Sequence, residues 1–280
     1  MKELVKKLHE LNVKEGSVLY VASDVKTLIY KGMEAGFVGK QGQNELLGRF
    51  VDALQETVGP TGTLLFPIYS NDFCKGAGFD VRKTKGYTGT LSNWILKNRP
   101  DFKRTAHPTH SLMVWGQDAG LLAAMHNQEA WGHSSPFEYL RGVGAYELFF
   151  NIEAHQGFTF AHYVEQCANV PYRHPKYFFG DYTDSEGITE RRCYSMNVRD
   201  MEVSTEICVV NDWLVDNGVA RQDTWQENLL TVADLAASYA ILLKDMVDNN
   251  GANTIAFHGG YSLDWSKEKT MEYEIGGLSK

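Results

Sequence analysis

The sequence predicts a single α/β domain, residues 1–280, with a central mixed β-sheet flanked by helices. Three observations carry this. A strand–helix–strand unit spans residues 17–69, short apolar strands alternate with amphipathic helices after it, and neither a repeat nor a low-complexity linker divides the chain. At 280 residues and 43% hydrophobic, the chain has enough apolar side chains to bury one large core.

The elements follow in order. Lys2, Glu3, Lys6, Lys7 and Glu10 interleave with apolar positions as in an amphipathic surface helix, and no unbroken apolar run follows to make a signal peptide. "SVLYVAS" (17–23) and "GTLLFPIY" (62–69) are apolar runs bounded by Gly, Pro or Ser, and read as buried strands. Between them, "NELLGRFVDALQETVG" repeats Leu46, Leu47, Phe50, Val51 and Leu54 at helical spacing and stops at Gly59-Pro60. This is a βαβ-like unit, which favours parallel strands with a right-handed crossover. "SLMVWG" (111–116) and "AYELFFNI" (145–152) read as further strands, 159–168 as a helix and "TEICVV" (205–210) as a strand. "LLTVADLAASYAILLKDMV" (229–247) reads as one long helix and "NTIAFHG" (253–259) as a last strand. Residues 70–90 and 172–195 are polar and irregular in pattern, and are expected as surface loops, the first of a length common in binding segments.

Composition excludes some functions. Thirty-five acidic against 27 basic residues give a formal charge of −8, which argues against nucleic acid as a partner. No apolar stretch reaches the roughly eighteen residues of a membrane span, so no membrane partner is expected. Cys74, Cys167, Cys193 and Cys208 are widely spaced and read as reduced thiols of a cytoplasmic protein. The oligomeric state is left open, a homo-oligomer included.

In the expected helix at 159–168, Thr159 is a natural N-cap, with His162 in the first turn and Glu165 one turn on, on the same side. The N-terminal helix dipole disfavours imidazolium, whereas a carboxylate on one ring nitrogen favours it and fixes the tautomer. That balance suits a general base. It equally suits a structural hydrogen bond, which is the commoner role of a lone His-x-x-Glu. Cys167 lies five residues beyond His162, about 140° away around a helix, so it is not paired with that histidine and is expected to be a buried thiol.

A second cluster, "KRTAHPTHSLMVWG" (103–116), sets Lys103 and Arg104 before a turn rich in hydroxyls and imidazoles at the start of a strand. Cations and hydroxyls in a turn suit a phosphate, and a solvated basic turn is the plainer alternative. His107 and His110 with His162 and Glu165 form a conceivable zinc set. Pro108 constrains His107, no HExxH or HxxEH is present, and no metal is expected.

Four stretches, "GPTGTLLFP" (59–67), "RTAHPTHSLMVWG" (104–116), "SSPFEYL" (134–140) and "TFAHYVEQCANVPYR" (159–173), together resemble the aminoglycoside 3-N-acetyltransferase family. That family includes sugar N-acyltransferases and is distinct from the Gcn5-related fold. The likeness covers residues 1–175 and fades beyond. It implies acyl-CoA as co-substrate and direct acyl transfer to an amine, with His162 as catalytic base and Glu165 orienting it. It also implies a coenzyme A site at the turn "VASDVKTL", with Ser23 and Lys26 as contacts, and at Arg104, Thr105 and Ser111. In that turn this chain has Asp24 where the family has a second hydroxyl.

For the acceptor, residues 67–97 hold Asp72 and Asp80 against Lys75, Arg82, Lys83, Lys85 and Lys97. A basic loop suits an anion rather than a polyamine. The sequence therefore favours a nucleotide-diphosphate-linked amino sugar, as in surface-polysaccharide or O-antigen biosynthesis. Tyr69, Lys83, Tyr87 and Trp94 are the candidate contacts, with Tyr172 a further stacking candidate. The alternative is an aminoglycoside, and with it antibiotic resistance.

Overall fold

The computed structural model describes residues 1–259, 263–265 and 274–276. Helix α1 (Lys2–Glu10) buries Leu4, Val5 and Leu8 along one stripe, as its pattern requires. β1 (Val18–Ser23), α2 (Lys26–Glu34), α3 (Gly39–Val58) and β2 (Thr63–Tyr69) form the expected crossover, and β1 pairs parallel to β2 through Leu19↔Leu64. After β2 the chain makes a single 3-10 turn (Phe73–Lys75) and β3 (Phe79–Asp80) before α4 (Thr90–Asn98), so 70–90 is largely the expected loop. β4 (Lys103–Arg104) and β5 (His110–Gly116) follow, β5 antiparallel to β2. Next come α5 (Ala119–Ala123), α6 (Pro136–Gly142), β6 (Tyr146–Phe150), α7 (Ala154–Gly157) and α8 (Phe160–Cys167). The remainder is β7 (Arg173–Thr183), β8 (Thr189–Arg199), β9 (Ser204–Ile207), α9 (Asn211–Asp216), β10 (Ala220–Trp225), β11 (Asn228–Asp234), α10 (Leu235–Asp248), β12 (Ile255–His258) and β13 (Glu274–Gly276).

The main sheet has the order β10-β11-β6-β1-β2-β5-β4. Its centre, β6-β1-β2, is parallel and its flanks are antiparallel, which is the mixed sheet the sequence predicts. On one face Leu46, Phe50 and Leu54 of α3 pack on Leu19, Val21, Leu64 and Phe66. On the other, Phe137 of α6, Phe160 and Val164 of α8 and Leu242 of α10 pack on Tyr20, Leu65 and Phe149. Since α7 and α8 leave directly from the carboxyl end of β6, α8 is held over the edge where β1, β2 and β6 end, the usual place for a site in such sheets.

Three expectations change. Residues 172–195 belong to a long antiparallel hairpin, β7–β8, not to a loop. It buries Phe178, Tyr182 and Tyr194, and Asp184 closes its turn by accepting from the backbone N–H groups of Glu186 and Ile188, each at 2.9 Å. The stretch at 229–247 is not one helix. Its β-branched start pairs with β10 and β6 as β11, and Asp234 then caps α10 by accepting from Ala237 N–H at 3.0 Å. Thr159 makes no capping hydrogen bond to α8 and is itself helical in backbone, because α7 runs almost directly into α8.

Candidate active site

His162 and Glu165 meet as their spacing requires: Nδ1 of the imidazole lies 2.6 Å from Oε2 of the carboxylate. Glu165 is fully buried. Tyr172 donates its hydroxyl to Oε1 at 2.8 Å, and Nε of Arg173 stands 2.8 Å from Oε2. Burial alone would push this carboxyl up; the charges of His162 and Arg173 and the hydrogen bonds from His162 and Tyr172 outweigh it and hold it at about 2. An ionised Glu165 accepts only, so Nδ1 carries the proton and Nε2 is left to act as a base. His162 is partly exposed, with 29% of its side chain open to solvent.

A column of rings leads away from the imidazole. Trp131 lies 5.0 Å from His162 between centroids, His110 4.5 Å from Trp131, and Tyr69 4.6 Å from His110. The Tyr69 and Tyr20 hydroxyls are 2.5 Å apart, beside Thr159 and near Glu147 of β6. Glu147 is fully buried and neither of its oxygens has a partner among the described residues, so burial pushes its carboxyl well up. His107 and His110 both take Thr109 Oγ1 at Nδ1, at 3.0 and 2.9 Å. Burial holds His107 down at about 4 and His110 well below the usual range, so both stay neutral inside the column. Among the described residues no group of three or more His, Cys, Asp or Glu is placed to hold a metal ion.

Beside His162 opens a cavity of about 380 Å³, lined by His155, Glu165, Arg173, Arg199, Thr205 and Glu206 among others. Nδ1 of His155 is buried there without a partner among the described residues. His155, Arg173 and Arg199 were not among the residues the sequence singled out. Arg173 closes the quoted stretch "TFAHYVEQCANVPYR", but its contact with Glu165 needs the chain reversal after α8, which no spacing announces.

The other candidates divide. Ser23 ends β1 and is partly buried; Asp24, next to it, accepts from Lys26 N–H at 2.9 Å and pairs with Lys26 Nζ at 3.3 Å, so it shapes the turn in place of a hydroxyl. Arg104, Thr105 and Ser111 are buried and spend their polar atoms on the protein. Arg104 donates from Nε to Ser111 Oγ at 2.9 Å, and to the carbonyls of Thr84 at 2.6 Å and Ile68 at 3.2 Å; Thr105 Oγ1 accepts from Leu112 N–H at 2.9 Å. In this geometry they brace the 80–88 loop against β2 and β5, and these donors point to the protein rather than to a phosphate.

Tyr69 sits in the ring column, 4% exposed, and Tyr172 is committed to Glu165, so neither presents a face for stacking. Lys83 is exposed and 3.5 Å from Asp80, and Tyr87 is exposed on the same loop. Trp94 lies on the opposite face of the sheet, donating to Asn44 Oδ1 at 2.9 Å, and does not reach His162. Cys167 is exposed rather than buried, because α8 turns that side to solvent.

The model of a protein family described as aminoglycoside 3-N-acetyltransferase matches residues 40–246. Among characterised proteins the chain is similar to aminoglycoside N(3)-acetyltransferase III of Serratia marcescens, 28% identical over 182 residues, covering 59% of this chain and 63% of that one. The match thus spans less than two thirds of that relative. Among solved structures it is similar to AAC-IIIb in binary complex with CoASH, with TM-score 0.71 and 19% identity over 89% of this chain and 96% of that chain. Sisomicin-bound AAC-VIa gives TM-score 0.67 and 19% identity over 89% and 97%. At such identity these two show the shared fold.

Proposed function

The chain belongs to the aminoglycoside 3-N-acetyltransferase family, and on that premise we propose that it is a cytoplasmic N-acyltransferase moving an acyl group from coenzyme A to the amine of an amino sugar. The observation that carries this is the His162–Glu165 pair, with Nε2 beside a cavity and without a hydrogen bond among the described residues. The neutral amine attacks the thioester carbonyl and forms the C–N bond. Nε2 takes the proton the amine sheds, and the resulting imidazolium is balanced by the ionised Glu165. As the C–S bond breaks, the imidazolium returns that proton to the departing thiolate, and amide and free coenzyme A leave.

Two acceptor classes are distinguished by support. An aminoglycoside-type amino sugar is favoured by the family and by the relatives, which are named for that substrate class. That reverses the order the loop charges suggested. A nucleotide-linked amino sugar of surface-polysaccharide biosynthesis is kept as a second reading because Arg173 and Arg199 stand in the His162 cavity beside Glu165 and Glu206, and guanidinium groups suit a phosphate. Thiol release from acetyl-CoA and longer acyl-CoAs, with one panel of aminoglycosides and one of nucleotide-linked amino sugars, tests both. Turnover with aminoglycosides supports the first reading, turnover with nucleotide sugars alone the second, and none with any amine overturns the transferase assignment.

A further inference from the structure

The two cations that adjoin in sequence at the edge strand β4 part company in the fold. Arg104 turns inward to the carbonyls of Thr84 and Ile68. Lys103 is exposed and has no hydrogen-bond or ion-pair partner among the described residues. It stands on the rim of a cleft of about 730 Å³ bounded by the end of α4, β4, α5 and the turn of the β7–β8 hairpin. Apolar side chains, Phe102, Met113 and Val81 among them, form its floor.

The rim is basic. Five Arg or Lys residues line the cleft against Asp184 and Glu186, and Asp184 is already engaged by its own turn. Of the arginines, Arg82 is tied to Asp80, Arg99 to Asp52 and Asp101, and Arg192 to Glu190, so these charges are balanced and Lys103 carries the positive charge offered to a ligand. Arg192 lies over the Tyr182 ring, 4.3 Å from its centroid. The cleft shares no lining residue with the His162 cavity, and β4 lies three strand places from β1, about 14 Å across the sheet.

We propose that this cleft is a separate binding site for a phosphorylated aromatic ligand of mononucleotide size, its phosphate on Lys103 and its ring on the apolar floor. The volume falls in the range of small-molecule sites, about 300–1,000 Å³, with apolar walls and few polar groups. An uncommitted lysine is a natural partner for a phosphate, and guanidinium planes beside an apolar floor suit a flat ring. The proposal is independent of the transferase reading.

Two sources share this chemistry, a free nucleotide and the adenosine phosphate end of coenzyme A; the separation from the His162 cavity favours the free nucleotide. The test is fluorescence anisotropy of N-methylanthraniloyl-ADP with the full chain, with and without saturating coenzyme A. Saturable binding that survives coenzyme A is expected, weakened about tenfold or more by Lys103→Glu, the loss of one charge-assisted contact. Ala124→Trp, which fills the cleft from an exposed position, is expected to weaken it likewise. Displacement by coenzyme A, binding indifferent to both substitutions, or no binding at millimolar probe each overturns the proposal.

Discussion

Nε of Arg173 and Nδ1 of His162 converge on one oxygen, Oε2 of Glu165, at 2.8 and 2.6 Å. A fully buried carboxylate with a guanidinium, an imidazole and a tyrosine hydroxyl around it is a rigid anchor. The imidazole is fixed by groups on both sides of the turn between α8 and β7, not by helix spacing alone.

The anchor has an acid limb. The folded pKa of Glu165, about 2, is depressed below the unfolded value near 4.5. Its stabilisation is therefore present above the unfolded value and lost as pH falls toward 2. Glu165→Gln is expected to be less stable than the parent at pH 7, with the difference narrowing below pH 4. Urea unfolding at both pH values checks this, and a constant difference would contradict it.

Glu147 has the opposite sign. Its folded pKa is raised, so stability is fullest below the unfolded value and falls as pH rises above it. Glu147→Gln removes that dependence with little change in shape. Its melting temperature should match the parent near pH 4 and exceed it at pH 8; equal values at both would refute a raised Glu147.

Tyr172→Phe removes one hydrogen bond to a buried charge. The expected cost is about 1.5–3 kcal/mol in unfolding free energy. Turnover should fall much less than in a His162 variant, since Arg173 still holds the carboxylate.

Arg104→Lys separates bracing from phosphate binding. Lysine has no planar fork to reach Ser111 and the two carbonyls together, so each buried acceptor left unpaired should cost about 1–3 kcal/mol. Loss of stability with little change in the KM for acetyl-CoA fits the bracing role. A raised KM at unchanged stability would restore the phosphate contact that the family likeness implied.

What the sequence made legible was local. The βαβ unit could be read because Leu19, Leu64 and the α3 leucines keep clean periods, and the His162–Glu165 contact because three residues on a helix share a side. The β7–β8 hairpin could not, since its buried Phe178, Tyr182 and Tyr194 lie among charged residues that mask the alternation. Nor could the inward turn of Arg104, which depends on carbonyls more than 15 residues away in the chain, or the approach of Arg173 to Glu165.

The most direct measurement is thiol release by purified His162→Ala with acetyl-CoA and the acceptor that the parent enzyme prefers. If His162 is the base, kcat falls about 10²–10⁴-fold while coenzyme A still binds. Near-parental turnover in a folded His162→Ala protein would contradict the account.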